Sequence, residues 1–221
     1  AFFGNTGDWS VIGMPGSGRD AETRQTIYHE AVHWFTTASD TQQPLWFAEG
    51  LAEVLSTFQV VDGKGRWGEA IDDNVAYLAY AGLVPMEDLL RASQDEALHG
   101  GDRDKYYPQA WAFVHSLMFG NGGADADKLA AFLRELQTSD LDTATTNAFG
   151  KSYDELTSDL RRYLDRGRYG YAEVELLDRS SEMTVAPASD ANVAFALGRL
   201  ATVGGNLELA RMRADQVIAL G

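Results

Sequence analysis

His29-Glu30-Ala31-Val32-His33 sets two imidazoles four residues apart with Glu30 directly after the first. Four residues is close to one helical turn, so on a helix both rings leave the same face. Two imidazole nitrogens on one face can hold a zinc ion at about 2.0–2.1 Å. A glutamate beside the first histidine is placed to take a proton from a water that the metal has acidified. The chemistry this points to is metal-assisted hydrolysis. Only 4 histidines occur in the 221 residues, so the pair concentrates a scarce residue.

A hydrolytic zinc usually has three protein ligands and one open position. One known solution places a glycine and a third histidine at fixed offsets after the first motif. Thr36 and Ser39 stand at those offsets here, which removes that class. The other common solution is a glutamate on the next helix. Pro44-Leu45-Trp46-Phe47-Ala48-Glu49-Gly50-Leu51-Ala52-Glu53 offers one. Pro44 can open a helix at its first position. Leu45, Ala48, Ala52, Leu55 and Phe58 or Gln59 then recur at helical spacing as the apolar face. Glu49 and Glu53 fall one turn apart on a shared face. Glu49 is the expected third ligand, and Glu53 the acceptor for the remaining ring N–H of a ligating histidine. Taken alone, two such glutamates could equally be solvated.

His29-Glu30-x-x-His33 followed by Pro44-x-Trp46-x-x-Glu49-Gly50-x-Ala52-Glu53 resembles the gluzincin metallopeptidases, and within them a bacterial branch with this second pattern. The resemblance implies zinc bound by His29, His33 and Glu49, Glu30 as general base and Glu53 behind a ligand. The run from Tyr106 to Leu117 is similar to a later helix of the family, with Tyr107 at its tyrosine position. That implies Tyr107 as the hydrogen-bond donor to the oxyanion. Tyr106 and His99, the latter in a glycine-rich loop, are rivals for that role. His115, among apolar residues, reads as a hydrogen-bonded core histidine. The run from Phe149 to Leu156 resembles the family's closing helix, so the resemblance covers about residues 1–166. It also implies a strand before the zinc helix that pairs with an extended substrate. Trp9 to Met14 reads as a strand stopping at Pro15-Gly16, edge or core.

The elements around these residues read as mostly helical. The zinc helix should run from Asp20, its N-cap, to Thr37, burying the stripe Ile27, Ala31, Trp34, Phe35 and Ala38. Further helices are expected over Glu69–Ala81, Pro85–Ala92, Tyr107–Phe119 (ended by Gly120-Asn121-Gly122-Gly123) and Asp125–Gln137. Another runs from the capping box Ser152-x-x-Glu155 to Arg166. A mixed connector, 167–189, carries a strand at Tyr171–Leu176. Residues 190–221 read as two helices around Gly204-Gly205. Gly198 and Ala210 stand at the packing crossings, as in one tetratricopeptide pair or a plain hairpin. One repeat cannot bury its own face, so the pair either docks on the peptidase domain or belongs to a chain continuing past Gly221. The expected fold class is therefore α+β and mostly helical: a gluzincin-like domain with a short N-terminal strand region, then a tetratricopeptide-like hairpin.

Composition bounds the partners. A net charge of -15 argues against nucleic acid and anionic membrane surfaces. The chain has no cysteine, which excludes disulfides, thiolate metal sites and cysteine nucleophiles. No apolar run reaches membrane-span length. A bacterial periplasmic or secreted location is expected, with any leader lying outside a chain that begins abruptly at Ala1-Phe2-Phe3. The expected partners are a peptide or protein substrate, and a protein partner at the C-terminal helices. Two readings follow. One is a zinc peptidase, endo or exo. The alternative is a non-catalytic zinc-containing binding module acting through those helices. The ligand set also admits hydrolysis of a non-peptide amide.

Overall fold

The structure, a computed structural model, describes residues 2–5, 10–13, 21–37, 43–176 and 187–220. Asp20, Ala38, the ends of the first expected strand at Trp9 and Met14, and most of the second half of the connector lie outside them. The fold is α+β and mostly helical. Its contacts divide into two units: Arg24–Leu176, and Ala1–Thr23 together with Leu177–Gly221.

In the second unit, β1 (Phe2–Asn5) pairs antiparallel with β2 (Ser10–Gly13), and both touch α10 (Asp190–Val203). α10 packs on α11 (Leu207–Leu220) as a helical hairpin. A Cβ at Gly198 would come within 3.2 Å of the Arg213 Cβ, so the hairpin's close crossing falls at the small residue the spacing singles out.

The larger unit opens with α1 (Ala21–Thr37, its first turn excepted) and α2 (Leu45–Ser56). A hairpin of β3 (Gln59–Val61) and β4 (Lys64–Trp67) follows, with β5 (Ala172–Glu175) on its other side, so the order is β3-β4-β5, all antiparallel. Asp62 and Gly63 both take positive φ at the turn, as a two-residue hairpin turn of this kind requires. Next come α3 (Asp72–Ala81), α4 (Met86–Arg91), α5 (Gln94–His99) and α6 (Arg103–Phe119). A 3-10 turn at Gly120–Gly123 leads to α7 (Ala126–Glu135), α8 (Leu141–Phe149) and α9 (Tyr153–Asp165). Both hydrogen bonds of the Ser152–Glu155 capping box form.

α6 is the axis of this unit. Five consecutive residues, Ala110 to Val114, are at most 2% exposed, so the helix is surrounded on all sides. α2 lies along it. The buried face of α2 is Trp46, Gly50 and Val54, with Ala52, while Leu45, Ala48 and Leu55 are only half-buried; the expected apolar face is rotated. The cause is Trp46, whose ring packs against Phe113 and Phe132 at centroid distances of 5.4 and 5.6 Å and turns the helix towards α6. The stripe on α1 also departs from expectation. Trp34 and Phe35 stay exposed, packed ring on ring. Ala31 and Phe35 line an open apolar concavity shared with Leu55, Phe58 and Trp67 rather than a closed core. α6 starts a turn earlier than expected, with Pro108 inside it.

Two buried polar residues of α6 tie in the loops. The Gln109 amide donates to the Val84 carbonyl (2.9 Å) and accepts from the Val84 N–H (2.8 Å), closing a two-point clamp on the segment before α4. His115 Nε2 donates to the Gly68 carbonyl at 2.6 Å, which leaves Nδ1 to accept from the Tyr163 hydroxyl at 2.7 Å. The neutral ring thus satisfies both nitrogens, as the apolar surroundings of this histidine lead one to expect.

Two outcomes test this packing. A Cβ at Gly50 would lie 2.5 Å from the Ala110 carbonyl oxygen, a backbone atom of α6. Gly50→Ala should therefore destabilise the fold by about 1–3 kcal/mol, read from urea unfolding. Burial holds His115 below its ordinary 6.5. Below that pH the unfolded chain binds a proton that the native ring refuses, so its contribution to stability is intact above 6.5 and is lost as pH falls. Stability of the wild type minus that of His115→Gln should fall with pH below 6.5, approaching about 1.4 kcal/mol per pH unit.

Candidate metal centre

α1 and α2 bring the first motif and the second glutamate pair face to face. His29 Nε2, His33 Nε2 and one Glu49 carboxylate oxygen form a triangle with sides of 3.1, 3.2 and 3.3 Å. Among the described residues this is the one group of three or more potential ligand side chains that converge closely enough to hold a metal. Three ligands on a tetrahedral zinc with bonds of about 2.0–2.1 Å stand about 3.3 Å apart, so the triangle has the dimensions of one tetrahedral face.

Hydrogen bonding between neutral imidazoles and the carboxylate does not account for that triangle. The Glu53 carboxylate lies 3.2 Å from His29 Nδ1 and can only accept, so Nδ1 carries the hydrogen. In the neutral ring Nε2 then presents a lone pair, aimed at the Glu49 oxygen and at His33 Nε2. Lone pairs converge unless a positive charge lies among them. Without a metal that charge is a proton. Burial presses His29 towards the neutral form, yet hydrogen bonds to Glu49 and Glu53 outweigh it and lift the imidazole to about 9. Burial likewise raises Glu49, but its hydrogen bonds to His29 and His33 prevail and hold it at about 2. The three side chains are each less than one-fifth exposed, where such charges are weakly screened. The donor chemistry fits a divalent cation that takes imidazole and carboxylate.

Of the other expected residues, Glu30, Tyr107 and Tyr106 lie near this cluster, whereas nothing among the described residues brings His99 to it. Glu30 follows His29 on α1 and is half-buried. Tyr107 reaches the same region from α6. Burial, then the charges of Glu49, Glu30 and Glu53, push its phenol up to about 12, so it remains a hydrogen-bond donor across the working pH range. Tyr106, its neighbour, is buried, and its hydroxyl has no hydrogen-bond partner among the described residues. Burial and the Glu49 charge raise it as well. His99 sits at the end of α5, largely exposed and paired with Asp95 at 3.1 Å. Sequence reasoning passed over Gln109, two residues after Tyr107; an uncharged amide inside an otherwise apolar run was the available signal.

Searches against protein-family models, curated proteins and solved structures return no match for this chain. Among the described residues, no helix is long and apolar enough to cross a membrane.

Metal analysis after dialysis against zinc should give one zinc per chain, lost in His33→Ala. Glu53→Gln should keep the stoichiometry but weaken zinc about 10–100-fold in a chelator competition, the usual cost of losing an orienting partner. An unchanged affinity would remove Glu53 from that role.

Proposed function

We propose that this chain is a zinc-dependent peptidase of the gluzincin type, in which His29, His33 and Glu49 hold the metal. The observation that carries this reading is the triangle of nitrogen and oxygen donors within 3.3 Å of one another, with Glu30 the next residue after His29 on α1. The same donor set can hold ferrous iron. A carboxylate base and a phenol donor next to the ligands favour hydrolysis, because these are the groups that move a proton and meet an oxyanion. Zinc, when bound, supplies Lewis acidity and makes water easier to deprotonate near neutral pH.

The chain's own residues do the rest. Glu30 accepts the proton of the attacking water and delivers it to the leaving amine as the C–N bond breaks, so one carboxylate serves first as base and then as acid. The Tyr107 hydroxyl, protonated at working pH, donates to the carbonyl oxygen as negative charge builds there. Glu53 fixes the His29 ring through Nδ1–H, which keeps Nε2 as the ligating nitrogen. Substrates are peptides or proteins.

The α10–α11 hairpin exposes Leu207, Met212 and Ile218, each more than half accessible. This supports a protein partner there and favours a second reading, a zinc-containing binding module without catalysis.

Glu30→Gln separates the two. The peptidase reading expects cleavage of a mixed peptide library by the zinc-loaded wild type, and a kcat at least about 10³-fold lower for Glu30→Gln at full zinc occupancy. Tyr107→Phe should lower kcat about 10²-fold with KM little changed. A zinc-loaded wild type that cleaves nothing in the library, or a Glu30→Gln protein that is fully active, overturns it.

A further inference from the structure

A second cleft lies at the far end of α6. Its wall includes Ser116 and Leu117, about 14 Å further along that helix than Tyr107 at 1.5 Å per residue. The cavity measures about 210 Å³, between the end of α6, the 3-10 turn, α7 and α9. Its floor is apolar, with Leu160 and Phe113 each 2% exposed, while its mouth is charged.

The charge there has the opposite sign to the rest of the chain. Lys128, Lys151, Arg162 and Arg166 line the cleft, four of the 18 lysines and arginines in a chain of net charge -15. Two carboxylates, Asp125 and Asp159, line it with them. Asp159 is shared, because Lys151 approaches it at 2.5 Å and Arg162 also bonds to it. Asp125 takes Lys128 at 2.6 Å. Arg166 has no carboxylate within ion-pair distance among the described residues; its guanidinium donates to the Asn121 amide oxygen at 3.3 Å. The Asn121 amide nitrogen in turn donates to Asp125 at 2.9 Å. Asn121 adopts a left-handed backbone with φ 51, a conformation that costs a non-glycine residue energy and here lets one side chain bridge the two. Among the lining side chains, four cations against two carboxylates leave a surplus of two positive charges around a concave volume.

We propose that this cleft binds a phosphate-type oxyanion, with Arg166 and Lys151 as its principal donors and Arg162 at the rim. Guanidinium and ammonium groups lining one cavity offer donors to the several acceptor oxygens of such an anion. The site is independent of the metal centre and of the peptidase reading. It would take either free phosphate or the phosphoryl group of a larger molecule.

The test uses the full chain, with amide and side-chain NMR shifts of Asn121, Lys151 and Arg166 followed during titration with inorganic phosphate at constant ionic strength set by sodium chloride. Saturable one-site shifts are expected. Arg166→Gln should weaken binding about tenfold, the loss of one charge-assisted bond. Asp159→Asn should strengthen it, because the competing carboxylate is gone. These opposite directions separate a site from general misfolding. A parallel titration with glycerol 3-phosphate identifies the source: tighter binding than phosphate assigns the cleft to a phosphomonoester, equal binding to the free ion. Shifts that never saturate, that chloride reproduces, or that both variants leave unchanged would overturn the proposal.

Discussion

Bringing His29, His33 and Glu49 within 3.3 Å of one another in a poorly solvated space is unfavourable unless a positive charge joins them. Something else in the fold must therefore hold α1 and α2 in place. On α2, the residue after Glu49 is Gly50, and it meets α6 so closely that even a methyl group would strike the Ala110 carbonyl. Trp46, one turn earlier, fixes the rotation of α2 by packing between Phe113 and Phe132. Those two contacts set which face of α2 turns towards α6, and with it the side on which Glu49 and Glu53 stand. The glutamate-glycine pair thus combines a donor that needs precise placement with the contact that places it.

The same logic explains what could be read from the chain. The donor cluster was legible because each half of it is local: His29 and His33 share one helical face, as do Glu49 and Glu53, and helical periodicity alone predicts both pairings. Their meeting across two helices was expected from what a bound zinc would need, and the three donor atoms lie within 3.3 Å of one another. The capping box at Ser152 and the helix stop at Gly120 are likewise local signals. What spacing could not supply was orientation against distant partners. Which face of α2 is buried depends on Phe113 and Phe132, far along the chain. The exposure of Trp34 and Phe35 contradicts their stripe, because a helical wheel shows which residues share a side but not whether another layer covers it. The β3–β4 hairpin was missed although Asp62-Gly63 is a turn pair; its strands are short and carry little alternation. Tyr107 came from a resemblance, since no local pattern relates α6 to the zinc motif.

α6 links these parts physically. Its first half carries Tyr107 and Gln109, its second half carries His115, and its last turns wall the cationic cleft. His115 bonds to residues 47 and 48 positions away in opposite directions, so one neutral imidazole couples the strand-to-helix loop at Gly68 with α9 at Tyr163. Gln109 does the same for the segment at Val84, 25 positions away. Such buried polar bonds are costly to leave unmade, and they select one arrangement of loops around an otherwise greasy helix.

Charge is partitioned along that axis. Around Tyr107, burial first and then three carboxylates from two helices raise the phenol, and this local excess of negative charge favours a cation while keeping the phenol a donor. Towards the other end the surplus is positive and the carboxylates are shared. In a chain this acidic, gathering cations at one concave place works against the spread of charge that solubility alone would produce, and it leaves Arg166 bonded to an amide rather than to an acid. The two ends of α6 are therefore electrostatic opposites carried on one buried helix, an excess of carboxylates near Tyr107 and an excess of cations beyond Ser116.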